Sequence, residues 1–286
     1  MQRGAKWFGS VAFVMGSLVL GGCGAEVPES GTGLESQEAP ARFECGTPPL
    51  ALDAESRLSG QAAGQRAIGS VTVPVYIHVI NKGTGLTNGD VPADALTQQV
   101  AVLNSAFSTT PFVFSLVSVD RTTNATWFTA SQGSTAESQM KNALRKGTAS
   151  ALNLYTTSPG GGLIGWATFP SSYKANPKAD GVVMHYGAMP GGSLVPYNLG
   201  NSTVHEVGHW LGLSHVEGCG GSDGVSDTPA YAWGPSSVCS DGLDTCPANP
   251  GLDPVHNYMT YFDDACLSEF TPGQLARMDS QAATYR

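Results

Sequence analysis

The chain has 286 residues, of which 41% are hydrophobic, so it is long enough for one large domain or two small ones with a sizeable core. Charged residues make up only 13% and the net charge is -9, which argues against nucleic acid as a partner, because phosphate binding wants a basic face. The 36 glycines and 18 prolines point to a loop-rich domain of the secreted type.

Residues 1–22 read as an export signal. Arg3 and Lys6 supply a positive start, and the apolar run 7–20 is too short and too broken by glycine for a membrane span. Leu20-Gly21-Gly22-Cys23 places small residues directly before a cysteine, as at a bacterial lipoprotein cleavage site, with Cys23 the lipidated first residue. Ordinary signal cleavage near 22–25 is the alternative. Either way the chain leaves the cytoplasm, where disulfides can persist. Its only membrane contact is then the lipid, before maturation. Residues 24–42, rich in Gly, Glu, Ser and Pro, form a tether. Residues 45–65 read as a short, partly ordered pro-segment, with Arg57 and then Arg66 as places for a cut. The expected division is therefore 1–22 signal, 23–66 tether and pro-segment, and 67–286 folded domain.

Within that domain, 71–80 is β-branched and apolar and predicts a buried strand. Leu96, Val100, Leu103 and Phe107 share one helical face, so 92–107 predicts a helix with Asp94 near its start. A strand follows at 112–119, a short helix at 137–146, and strands at 151–156, 163–169 and 181–186. The turn Ser158-Pro-Gly-Gly-Gly162 separates the middle two. Asn201 or Ser202 is placed to cap a helix running to about Gly212. From His215 to Pro254 glycine, Asp, Ser, Pro and Cys dominate, so regular structure is not expected and disulfides or metals must hold the chain. Thr271-Pro-Gly-Gln274 has the form of N-cap, first-turn proline and capping-box glutamine, predicting a last helix at 272–285.

The chemistry concentrates in His205-Glu-Val-Gly-His-Trp-Leu-Gly-Leu-Ser-His215. His205 and His209 are one helical turn apart on one face, so both imidazoles reach one zinc ion. Glu206 stands beside the first of them as general base for a water. Gly212 lets the chain leave the helix, and His215 returns as a third nitrogen ligand. Three protein ligands leave a fourth position open, which suits a catalytic rather than a structural zinc. The remaining histidines, His78, His185 and His256, read as structural. Asp223 and Asp227 lie in a glycine-rich loop, and hard oxygens in a flexible loop suit calcium.

There are six cysteines. Four of them, Cys219, Cys239, Cys246 and Cys266, follow the histidines; they permit three pairings, and spacing does not choose among them. A second, structural zinc is disfavoured by the absence of any CxxC spacing. Cys45 is left over. Its thiolate is able to fill the fourth zinc position and hold the enzyme latent; an intermolecular disulfide or an inert thiol are the alternatives.

Pro74-Val-Tyr-Ile-His-Val-Ile80, Gly187-Ala-Met-Pro-Gly-Gly-Ser193, Tyr197-Asn-Leu-Gly200, the histidine motif, Gly224-Val-Ser-Asp-Thr-Pro229, His256-Asn-Tyr-Met-Thr-Tyr261 and the earlier Cys45-Gly-Thr47 together resemble the pappalysin family of metzincin zinc metalloproteases, the group of ulilysin-like enzymes. The resemblance implies an α+β metzincin-type zincin fold. Its parts are a twisted, mostly parallel sheet, an active-site helix, and an irregular, disulfide-stapled C-terminal subdomain with a Met-turn and a final helix. It implies the pairs Cys219–Cys246 and Cys239–Cys266, and Met259 as the apolar floor under the zinc. Tyr261 is then an oxyanion donor, and Asp223, the Val225 carbonyl and Thr228 are calcium ligands. It also implies that the segment after Met259 shapes the S1′ pocket; a carboxylate there, Asp263 or Asp264, favours Arg and then Lys at P1′. The expected protein is an exported zinc endopeptidase, a bacterial outer-membrane lipoprotein precursor whose mature, monomeric, extracellular form cuts protein or peptide substrates laid along 163–169. A surface binding protein without turnover is the alternative, and Glu206 argues against it, since a pure binder has no use for a base beside the metal.

Overall fold

The β-branched run beginning at Val71 forms a long central strand, and the rest of the domain is laid around it. A computed structural model describes residues 44–49, 66–216, 218–220, 223–232 and 239–286, all within one compact unit, Ala41–Arg286. The export signal, Cys23, most of the tether and pro-segment, and Arg57 lie outside the described residues.

The strands are β1 (Glu44–Cys45), β2 (Val71–Asn81), β3 (Phe112–Thr123), β4 (Leu152–Thr157), β5 (Leu163–Ala167) and β6 (Val182–His185), ordered β1-β5-β6-β4-β2-β3 in one sheet. Pairs β2–β3, β2–β4 and β4–β6 are parallel, while β5 runs antiparallel to β6. The helices are α1 (Ala93–Ala106), α2 (Ala125–Phe128), α3 (Thr135–Leu144), α4 (Asn201–Trp210) and α5 (Pro272–Tyr285).

Burial explains why these segments are strands. β4 and β6 are buried along their whole length, which is why they read as nearly continuous apolar runs. β3 lies at the sheet's end and alternates: Phe112 and Phe114 enter the core, while Val113, Val117 and Val119 face solvent. The main core lies between one sheet face and α1, α4 and α5. Val75, Ile77 and Val79 meet Leu96, Val100, Leu103, Val204, Val207 and Met278 there. Ile80, Tyr155, Trp166 and Val183 form a smaller core with Phe128 and Met140 on the other face.

The fold class expected from the sequence is the one observed. Boundaries move by a few residues: the short helix begins at Thr135, capped by Ser134, whose side chain accepts the Glu137 N–H. Two of these strands and α-helices escape the sequence reading. α2 is one turn, too short for periodicity to reveal, and is capped by Asn124. β1 has two residues and is a strand only because β5 offers its free edge. The last helix has the capping box anticipated at Thr271 and Gln274.

Candidate active site

Helix α4 passes beneath β5 and brings the histidines to the sheet edge. Its start was misplaced by the sequence reading. Neither Asn201 nor Ser202 is the N-cap; Gly200 occupies that position with φ 92° and offers no side chain. The capping group comes from far along the chain. One oxygen of Asp264 accepts the Leu199 and Asn201 N–H groups at 2.9 and 3.1 Å, and the other accepts the Ser202 N–H and hydroxyl at 3.0 and 2.9 Å. A carboxylate at a helix N-terminus is favoured by the helix dipole as well as by these donors. Gln99 of α1 adds a further tie, donating to the Gly200 carbonyl and accepting from Thr203.

His205, His209 and His215 converge. The Nε2 atoms of His205 and His215 lie 3.1 and 2.9 Å from that of His209. The Nδ1 of His205 donates to the Tyr258 carbonyl and that of His209 to the Leu213 carbonyl, both at 2.7 Å. These bonds fix the tautomer, so the facing Nε2 atoms carry lone pairs and no proton. Burial holds His205 neutral, with its pKa pushed down to about 4, and pushes His209 and His215 down as well. Neutral imidazole lone pairs aimed at one point are the donor set that a divalent zinc requires.

Gly212 carries φ +105°, a conformation side chains rarely adopt, and this turn swings His215 back toward the helix. Its carbonyl accepts from Arg277 Nε at 2.8 Å, so α5 holds the turn. Below the histidines, Met259 is fully buried with its sulfur against Gly208; a Cβ there would lie 2.5 Å from that sulfur. Tyr261 sets its ring 4.9 Å from that of His215 and 5.7 Å from that of His205. Its backbone N–H donates to the Tyr231 hydroxyl at 3.0 Å, a support the sequence reading did not foresee.

Glu206 is completely buried, and burial pushes its carboxyl up to about 7. Cys45 Sγ lies 3.6 Å from His209 Nε2, and the ligand atoms of Cys45 and the three histidines all fall within 4.8 Å of one another. Thr47 was also missed. Its hydroxyl donates to Glu206 Oε2 at 2.9 Å and accepts the Ala167 N–H at 2.8 Å.

Ile164, Tyr197, Ser202, Thr260, Phe262 and Leu267 line a small cavity beside His205 and Cys45. Neither Asp263 nor Asp264 is among its lining residues, and Asp264 is spent on the helix. One oxygen of Asp263 is buried without a hydrogen-bond partner.

The sulfurs of Cys219 and Cys246 are bonded, as are those of Cys239 and Cys266, and Cys45 is free. Asp223 accepts from the Val225 N–H at 2.9 Å and the Thr228 hydroxyl at 2.6 Å beside a cavity of about 410 Å³. Asp227 lines the same cavity and also accepts from Thr271 Oγ1 and Gly273 N, both at 2.8 Å. The other histidines find partners away from the three converging ones. His78 lies between Asp120 and Asn153, His185 accepts the Gly187 N–H, and His256 bridges the Cys266 carbonyl and Asp241.

Three converging histidines, a buried carboxylate beside them and a methionine beneath the zinc helix define a zinc metalloprotease of the metzincin type. A family model, Peptidase_M43, described as "Pregnancy-associated plasma protein-A", matches residues 159–283. A protein named extracellular metalloprotease from Pyricularia oryzae is 42% identical over 85% of this chain and 90% of its own length. One from Neurospora crassa is 42% identical over 92% and 88%. A solved structure of mirolysin with a bound compound is 28% identical, with TM-score 0.63 over 73% of this chain and 91% of that one. A Tannerella forsythia promirolysin mutant is 27% identical, with TM-score 0.64 over 79% and 84%. The chain belongs to the pappalysin family of metalloproteases, and membership implies a catalytic zinc.

Proposed function

We propose that this protein is an exported endopeptidase made as a latent precursor, with His205, His209 and His215 as zinc ligands and Glu206 as general base. The observation that carries the reading is the convergence of three neutral imidazole nitrogens beside a buried carboxylate whose pKa lies near 7. Zinc, when bound, supplies Lewis acidity toward a carbonyl and toward water. Glu206 accepts a proton from the attacking water and passes it to the leaving amine; a pKa near neutrality suits both transfers. Tyr261, whose ring packs against those of His205 and His215, donates a hydrogen bond to the carbonyl oxygen as charge develops there. Substrate lies extended along the outer edge of β5, the edge that Glu44 and Cys45 occupy in this structure.

Latency rests on Cys45 as fourth ligand, supported by its distance to the three histidines. Arg66, the last residue of the expected pro-segment, is clamped to α5: its backbone N–H donates to Asp279 Oδ2 at 2.8 Å and its guanidinium meets the same carboxylate, which favours a cut before it. A cut between Cys45 and this clamp frees the domain from its switch. It also frees the domain from any lipid at Cys23, the attachment point that the small residues before it suggest. Export is further supported by relatives named extracellular metalloproteases. Among the described residues no helix is long and apolar enough to cross a membrane. Calcium is assigned to Asp223, the Val225 carbonyl and Thr228, which already share hydrogen bonds, with Asp227 on the same cavity.

For specificity we favour Arg, then Lys, at P1′. Asp264 has four donors of its own, which leaves Asp263, with an unpartnered oxygen, as the carboxylate available to a cation. In a peptide series varied only at P1′, Arg should exceed Leu by at least about tenfold, or roughly 1.4 kcal/mol. Asp263→Asn should collapse that difference. Preference for Leu or Phe would instead mean that the apolar walls, Ile164, Phe262 and Leu267, decide the residue.

A further inference from the structure

The pro-segment touches the site at two chemically different places. Cys45 faces the histidines. Two residues later, Thr47 is buried, 3% exposed, and faces the base. Its hydroxyl donates to Glu206 Oε2 at 2.9 Å and accepts from the Ala167 backbone N–H at 2.8 Å. Gly46 between them donates its N–H to the Gly165 carbonyl at 2.8 Å, pinning the segment to β5. The Thr47 N–H points back to Cys45 Sγ at 3.3 Å.

We propose that Thr47 is a second latch, acting on the general base and the substrate-binding edge rather than on the metal. The inference rests on the latency reading above. The Glu206 oxygen that accepts from Thr47 has a lone pair engaged and its direction fixed, while Oε1 has no hydrogen-bond partner; the latch therefore weakens and orients the base rather than consuming it. An Ala167 amide already bonded to the same hydroxyl is not available to a substrate carbonyl. One side chain therefore engages one oxygen of the proton acceptor and occupies a backbone docking point. The burial that makes these two bonds strong also makes them costly to lose, since removing the hydroxyl strands a carboxylate oxygen and an amide N–H. Serine keeps the hydroxyl; valine keeps the shape without it.

The test uses the full-length chain as wild type, Cys45→Ala, Thr47→Val, Thr47→Ser and the Cys45→Ala/Thr47→Val double variant. Two quantities are read: the initial rate on a short peptide while gels show the precursor uncut, and hydrogen exchange of the segment containing Ala167. The second does not depend on metal or turnover. Thr47→Val should raise the uncut rate by roughly tenfold, the size of one charge-assisted hydrogen bond. It should also speed Ala167 exchange, while Thr47→Ser stays near wild type in both. The double variant should exceed Cys45→Ala alone. A Thr47→Val chain that matches wild type in rate and exchange overturns the latch. So does a Thr47→Ser chain as leaky as Thr47→Val, because the hydroxyl would then not be the cause. If Cys45→Ala alone stays fully latent while Thr47→Val leaks, the thiol reading fails and the latch stands.

Discussion

Glu206→Gln is expected to leave a folded protein that still binds its metal and to lower peptide hydrolysis by roughly 10²- to 10⁴-fold. The amide has nearly the shape of the carboxylate, and the three histidines keep their own supports: the Tyr258 and Leu213 carbonyls and the turn at Gly212. What is lost is the proton acceptor. The position is completely buried, and its charged form is disfavoured by that burial, so a neutral amide there should not destabilise the fold. Metal content by elemental analysis, unfolding temperature and turnover of the matured protein check the three parts together. A variant retaining more than about a tenth of wild-type turnover would assign the base to another group.

Gly212→Ala should be the most damaging single-methyl change near the site. Alanine at φ +105° is strained, and its Cβ would lie 2.6 Å from Gln281 Cγ and 2.8 Å from Gln281 Cβ. Left-handed strain and overpacking each contribute about 1–3 kcal/mol, so a loss of about 3 kcal/mol and a fall in Tm of roughly 6–12 °C are expected. Because this turn aims His215, metal affinity should fall as well. Thermal unfolding with and without added zinc reads both. An unchanged Tm would mean that α5 yields easily, contrary to its buried Arg277 and Met278.

What the sequence made legible follows from how locally each feature is encoded. The strands, α1 and α5 with its capping box are written in neighbouring residues, and so is the H-E-x-x-H-x-x-G-x-x-H spacing. The helix start was misread because its cap, Asp264, is 62 residues from Ser202, beyond the reach of any local pattern. The ties of Asp227 to Thr271 and Gly273 are equally non-local. Glu44–Cys45 carries no strand signal, since two residues have no period and the pairing belongs to the β5 edge. Thr47 stood inside the Cys-Gly-Thr motif, yet its role is visible only once Ala167 and Glu206 are brought beside it.

The central claim is that hydrolysis by this chain depends on a metal held by three histidines. The direct measurement is casein or peptide hydrolysis by the matured protein, together with its zinc content, before chelation, after chelation and after zinc is restored. About one zinc per chain, loss of hydrolysis with the metal, and recovery on its return are the predicted result. His209→Ala should fail to recover. Full hydrolysis by a preparation shown to be free of metal would contradict the account.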